Sequence, residues 1–247
     1  MNQSFEARKF QLEKMVAKNG YDQEKVPPLY QEAMDTLPER IEEIKKYASL
    51  LPEEFNLSSG EEKIALDQAT VVDLGSGPGI VTREIKDKVG RVIAIDQAPK
   101  MVSFLKKQFE DSANVEAAVG DMARMPLADN SVEGVISVGT IFELHSEDSE
   151  NDFLRETMRV LKPGGVLVLD GISNEKFDKV RNNFAQERQK ELEAAKSHKG
   201  PVTQRFNIFR ADELENRLKG LGLDCRVEPF FQEEAGEYCV VRITKLN

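Results

Sequence analysis

Asp73-Leu74-Gly75-Ser76-Gly77-Pro78-Gly79 sets an acid and three alternating glycines where an apolar run, Thr70 to Leu74, meets a helical pattern. At such a junction a Cβ would collide with a ligand lying across the loop, and glycine also accepts positive φ. The helix expected from about Val81 to Val89 then offers free N–H groups to a ligand carboxylate or phosphate. The dinucleotide fingerprint G-x-G-x-x-G would need its third glycine at position 80, which is Ile80. Here the third is Gly79, and Asp73 precedes the first by two, so the pattern departs from the nicotinamide one. Two more acids end the next apolar runs. Asp96 closes Arg91 to Asp96, where a carboxylate accepts two hydrogen bonds from a ribose diol, as it also does in dinucleotide folds. Asp121 lies in Gly120-Asp121-Met122, where an acid meets the exocyclic amine of an adenine. Singly, Asp73, Asp96 and Asp121 read equally well as strand-end acids capping turns. Together they favour a nucleoside cleft.

The elements that would position these residues are short apolar runs at regular intervals: Thr70–Leu74, Arg91–Asp96, Asn114–Val119, Val132–Val138 and Gly165–Asp170. Helical periodicity fills the gaps, as in Met101, Phe104, Leu105 and Phe109, then Phe153, Leu154, Met158 and Leu161. Continuous apolar strands alternating with helices predict a parallel sheet covered on both faces. A helix over Ala211–Leu221 leads into two runs, Asp224–Phe231 and Tyr238–Thr244, joined by a loop that permits only a hairpin. The sheet should therefore end in an antiparallel pair. Residues 1–69 read as a helical extension or lid, without a convincing strand, ahead of the α/β domain over residues 70–247. One helix there carries Phe5, Leu12, Met15 and Val16 and stops at Gly20; a second runs from Pro38 to Leu51. Residues 171–210 are surplus to the scheme. They hold a polar helix, Glu175–Lys196, and form a lid or the arm of a homodimer, with nothing to choose between them.

Length and composition bound the rest. A chain of 247 residues fits one α/β domain with an appendage, burying roughly 70–75% of its unfolded surface without disulfides or zinc. Hydrophobic residues at 40% and charged ones at 32% suit a globular protein. The net charge of −10 argues against nucleic-acid or anionic-membrane partners, which need a basic footprint. Cys225 and Cys239 match no zinc pattern, and His145 and His198 leave little for a histidine-ligated metal, so no metal site is expected. No apolar leader or run of about 18 apolar residues occurs, and the chain reads as cytoplasmic.

With these segments in place the sequence resembles the class I S-adenosylmethionine-dependent methyltransferases of the small-molecule type. The first motif is Asp73 to Gly79. Ile95-Asp96-Gln97-Ala98-Pro99-Lys100-Met101 is similar to the family's D-x-S-x-x-M, with Ala98 replacing the usual small hydroxyl residue. Gly120 to Leu127 and Leu161-Lys162-Pro163-Gly164-Gly165 match the third-strand segment and the turn before the fifth strand. The resemblance implies a Rossmann-like, doubly wound sheet of seven strands, mostly parallel with a C-terminal antiparallel hairpin. It also implies S-adenosyl-L-methionine as co-substrate and a small-molecule methyl acceptor. Carried over, Gly75, Gly77 and Gly79 wrap the methionyl part, Ser76 counts with them as cofactor-binding, and Asp96 holds the ribose. Gln97 and Met101 follow it in the same motif, and Met101 serves equally as helix packing. Asp121 and Met122 flank the adenine, and Gly139 and Thr140 lie under the cofactor. Asp73 orders the loop or reaches the cofactor amino group through water.

Transfer from a sulfonium is an in-line displacement with an activated leaving group. Positioning alone supplies several kcal/mol of such a barrier, so the sequence is nearly silent on a base. His145 and Glu143, after the fourth strand, are the candidates, with a solvated loop as the ordinary alternative. Tyr21, Tyr30 and Tyr47 read as helix packing first and as substrate or cofactor contacts second. Arsenic methylation is set aside, since that branch needs cysteines near the substrate and both here fall on late strands. Methylation of protein or RNA, and binding without turnover, stay as alternatives. Against RNA, no Asn/Asp-Pro-Pro-Tyr-like tetrapeptide follows the fourth strand.

Overall fold

The structure is a computed structural model that describes residues 20–35, 38–57, 63–141, 144, 147–173, 209–231 and 239–246. The expected helix over Phe5–Val16, the polar helix over Glu175–Lys196, and Glu143, His145 and His198 lie outside the described residues.

Two helices, α1 (Val26–Asp35) and α2 (Pro38–Ala48), precede a small antiparallel pair, β1 (Glu54–Asn56) and β2 (Lys63–Ala65). This pair corrects the expectation of a strand-free N-terminal region. Each strand is three residues long, and of β1 only Phe55 is buried, so no period-2 pattern can develop. Phe55 still matters: it is 1% exposed and packs beneath the main sheet.

The main sheet begins with β3 (Thr70–Leu74), α3 (Ile80–Ile85), β4 (Arg91–Asp96), α4 (Pro99–Gln108) and β5 (Val115–Val119). It continues through β6 (Val132–Ser137), α5 (Glu147–Val160) and β7 (Leu161–Ser173) to β8 (Phe209–Arg210). α6 (Ala211–Gly220), β9 (Cys225–Phe231) and β10 (Cys239–Lys245) complete it. The strand order is β5-β4-β3-β6-β7-β10-β9, with β8 beside the end of β7. β3 to β7 run parallel, and β10 is antiparallel to both β7 and β9. The doubly wound seven-strand sheet and its closing hairpin are thus as the sequence implies. Some boundaries differ. β7 extends to Ser173 and β8 resumes the sheet at Phe209, so both ends of the stretch 171–210 belong to the sheet. α3 starts at Ile80 and stops at Ile85, short of the expected Val89.

Alternate side chains of each strand enter opposite layers. Val71, Val92, Ile136 and Val168 pack with Ile44 and Tyr47 of α2 and with Val81 and Ile85 of α3. Val72, Ile93, Val135 and Leu167 pack with Phe153, Leu154 and Met158 of α5 and with Leu214 and Leu218 of α6. Burial on both faces explains why these strands are continuous apolar runs. The order reverses between β3 and β6, and a crevice outside the carboxyl ends of the strands is expected at such a switch point.

Candidate cofactor cleft

A cleft opens at that switch point. Leu74, Gly75 and Gly77 line it after β3, Ile95, Asp96 and Gln97 at the end of β4, and Met101 in α4. Gly120 and Met122 follow β5; Val138, Gly139 and Thr140 follow β6. Tyr21 and Tyr30 close one side from the N-terminal segment. The wall is mostly apolar, and Asp96 is its one acidic member among the described residues.

The glycines are required by different neighbours. All three have positive φ, +75° at Gly75, +51° at Gly77 and +97° at Gly79. A Cβ on Gly75 would lie 2.4 Å from Thr140 Cγ2, and one on Gly79 would lie 2.7 Å from Phe109 Cε2. Around Gly77 no atom of the described residues lies within 4 Å of that position. The expectation that a ligand excludes every Cβ is therefore corrected: side chains of the protein fill two of the three spaces. Open space remains at Gly77.

The loop amides are also engaged within the protein. Gly75 N–H and Ser76 N–H donate to Ile95 O (2.8 and 3.0 Å), and Gly79 N–H to Ser76 O (2.9 Å). Gly77 N–H donates to Asp96 Oδ2 at 2.8 Å. At the start of α3, Thr82 N–H donates to Asp73 Oδ2 at 2.9 Å, and Thr82 Oγ1–H to the same oxygen at 2.6 Å. The anion that the helix N-terminus attracts is thus the protein's own Asp73 carboxylate. It is 1% exposed, and burial pushes its pKa up to about 7 against the bonds from Thr82. Asp73 orders the loop and is absent from the cleft wall. Ser76 is buried too, and its Oγ has no hydrogen-bond partner among the described residues.

Asp96 is arranged differently. Its Oδ1 accepts from Ala98 N–H at 2.8 Å while Oδ2 takes Gly77 N–H. Burial raises its pKa, opposed by those two bonds. A carboxylate offers about four lone-pair sites, so each oxygen retains one for a diol in the cleft. Asp121 is exposed and accepts from Ala123 N–H (2.8 Å), which folds the turn between the lining residues Gly120 and Met122. Gly139 has φ +70°, and its N–H donates to the buried carboxylate of Asp170 at 2.7 Å. Thr140 Oγ1 sits 3.2 Å from Leu74 O, tying the β6 loop to the β3 loop.

Of the residues singled out from the sequence, Gly75, Gly77, Asp96, Gln97, Met101, Met122, Gly139 and Thr140 meet on one wall. Tyr21 and Tyr30 join them, whereas Tyr47 is 3% exposed among Ile44, Ala48 and Leu51 and bonds Glu43. Sequence reading missed Leu74, Ile95, Gly120 and Val138 as lining. Their signal was positional, since each lies in the last two residues of a strand or immediately follows one. Cys225 is buried against Met158 in the core.

Residues 71–165 match the model of a methyltransferase-domain family. Over 109 residues the chain is 35% identical to an arsenite methyltransferase of Halobacterium salinarum, covering 42% of this chain and 27% of that protein. Over 134 residues it is 28% identical to N-demethylindolmycin N-methyltransferase of Streptomyces griseus, covering 54% of this chain and 55% of that protein. The chain spans between 27% and 55% of the length of the first curated relatives it matches. A Methanococcus maripaludis protein described as an S-adenosyl-L-methionine-dependent methyltransferase shares the fold, with a TM-score of 0.60 at 20% identity. That superposition covers 93% of this chain and 95% of the other. Residues 71–165 thus carry a methyltransferase domain, set in a fold that this chain shares with S-adenosylmethionine-dependent methyltransferases.

Proposed function

We propose that the chain transfers a methyl group from S-adenosylmethionine to a small-molecule acceptor. The observation that carries the cofactor half is Asp96, a part-buried carboxylate on a mostly apolar wall, held by two backbone N–H groups and keeping acceptor capacity for a ribose diol. Open space at Gly77 and the unpartnered Ser76 Oγ, both in the loop beside it, fit the same nucleoside. Leu74, Ile95, Met101, Met122 and Val138 supply apolar surface for an adenine. Bound there, S-adenosylmethionine supplies a methyl group on an activated sulfonium. The protein's task is to hold the sugar through Asp96, exclude water with the apolar wall, and present the acceptor in line.

A small acceptor is supported by the acidic balance, which suits no polyanion, and by likeness to a relative whose substrate is N-demethylindolmycin. Likeness to the arsenite enzyme is not followed to its substrate, because no cysteine side chain lines the cleft among the described residues. His145 is proposed as the base for a hydroxyl or amine acceptor, with Glu143 beside it in sequence.

Ligand-induced stabilisation tests the cofactor reading. S-adenosylhomocysteine at a hundred times its Kd should stabilise the fold by about 2.7 kcal/mol, roughly 5–10 °C in Tm for a chain of this size. Asp96→Ala should lose most of that rise. No rise at millimolar ligand overturns the reading. Transfer of labelled methyl from the cofactor into fractionated cell extract tests the acceptor: label in low-mass fractions is expected. Label in protein or RNA overturns the small-molecule half, and label nowhere favours binding without turnover.

A further inference from the structure

We propose that Asp22 is a positioning residue of the cofactor cleft: it supplies, from the N-terminal segment, the cap that helix α4 lacks, and so latches the Tyr21–Tyr30 wall in place. The inference rests on the cofactor reading above and extends it to how that wall is held.

Helix α4 starts behind Ala98, whose φ of −88° and ψ of 108° are those of an N-cap residue. A methyl side chain has no acceptor, and no side-chain cap bond is made at that position. N-cap side chains serve the N–H two or three residues on, and Ser, Thr, Asp and Asn are preferred there for that reason. Pro99, at the first helical position, has no N–H. The next N–H, that of Lys100, donates to Asp22 Oδ1 at 2.9 Å across 78 residues of sequence. An acid from another part of the chain thus does the work the local residue cannot.

Apolar contact follows the same path. Val26 is fully buried against Ala98 and Met101, and Tyr21 and Tyr30 pack on that cluster. Both tyrosines and Met101 also line the cleft. The Ala98 N–H, meanwhile, is bound by Asp96 Oδ1, and Asp96 Oδ2 holds Gly77. Two carboxylates therefore grip one helix start, Asp22 from the wall side and Asp96 from the ribose side. Loosening Asp22 frees the wall contributed by residues 20–35 and leaves the glycine loop attached.

A cap of ordinary strength shifts such an equilibrium by about fivefold. Release of tritiated S-adenosylhomocysteine in an unlabelled chase should be about fivefold faster from Asp22→Ala, and unchanged in Asp22→Asn, which keeps the acceptor. Adding Ala98→Ser to Asp22→Ala gives the helix a local cap, so Tm should recover while release stays fast. Recovery of both would make Asp22 a helix cap alone and overturn the latch. Wild-type release from a folded, ligand-binding Asp22→Ala would overturn it as well. Amide exchange in the wild-type protein gives a second measure: Val26–Asp35 should slow on ligand binding, and no change there refutes the latch. Wild-type protein that binds no S-adenosylhomocysteine overturns the cofactor reading itself, a result distinct from either.

Discussion

Asp73→Asn separates the cost of a buried charge from the value of a helix cap. The Asp73 carboxylate is almost fully enclosed, and burial lifts its pKa from the ordinary 3.8 to about 7. The folded chain therefore holds this proton up to about pH 7, whereas the unfolded chain releases it near 3.8. Between those values the native state binds more protons, so stability falls as pH rises through the window. With those two values the loss from pH 6 to pH 8 is about 1.4 kcal/mol, or roughly 3–6 °C in Tm. An asparagine keeps an oxygen for both Thr82 donors and does not titrate. Melting curves of both proteins at pH 6, 7 and 8 would show it. The wild type should lose those extra degrees relative to Asp73→Asn as the pH rises. Parallel profiles, or a wild type that gains on the variant with pH, would refute a carboxylate destabilised by burial.

Three further substitutions probe the loop and the base. Gly75→Ala combines a φ of +75° with a Cβ 2.4 Å from the buried Thr140, and should cost at least about 2 kcal/mol of stability by chemical denaturation. Gly77→Ala carries the φ penalty alone, about 1–2 kcal/mol, since its Cβ enters open space. Gly77 also lines the cleft, so affinity for S-adenosylhomocysteine by calorimetry should fall about tenfold, the effect of some 1.4 kcal/mol. Equal losses of stability and affinity in both variants would refute this division. His145→Ala should lower turnover while cofactor Kd stays unchanged; unchanged turnover returns His145 to an ordinary loop position.

Strand positions were readable because burial on both faces leaves a plain chemical trace. Thr70–Leu74 and Arg91–Asp96 agree with the sequence reading to the residue. β7 begins earlier than expected because Leu161-Lys162-Pro163-Gly164-Gly165 has the composition of a turn. In the fold it joins the sheet through a register shift between Val132 and Gly134 of β6. β1 and β2 left no trace because each is three residues long and the pair is anchored by little more than Phe55 and the partly buried Ile64. The latch was unreadable for another reason: Asp22 and Lys100 are 78 residues apart, and only the missing hydroxyl at Ala98 hinted that a cap had to come from elsewhere.

The motif itself shows what spacing cannot say. D-x-G-x-G-x-G gives the order of residues but not the direction in which each bare Cα looks. In the fold Asp73 is satisfied by Thr82, Gly75 is shut by Thr140, and Gly79 is shut by Phe109 and Leu105. All three would be required by packing in a chain that bound nothing. Gly77 and Asp96 are the exceptions, one facing open space and the other lining the cleft with lone pairs to spare. The two are joined by a hydrogen bond, so losing either disturbs the other. Alanine at Asp73, Gly75 or Gly79 should therefore register as lost stability alone, and alanine at Gly77 or Asp96 as lost affinity as well. A loop preserved for its fold alone would show only the first kind.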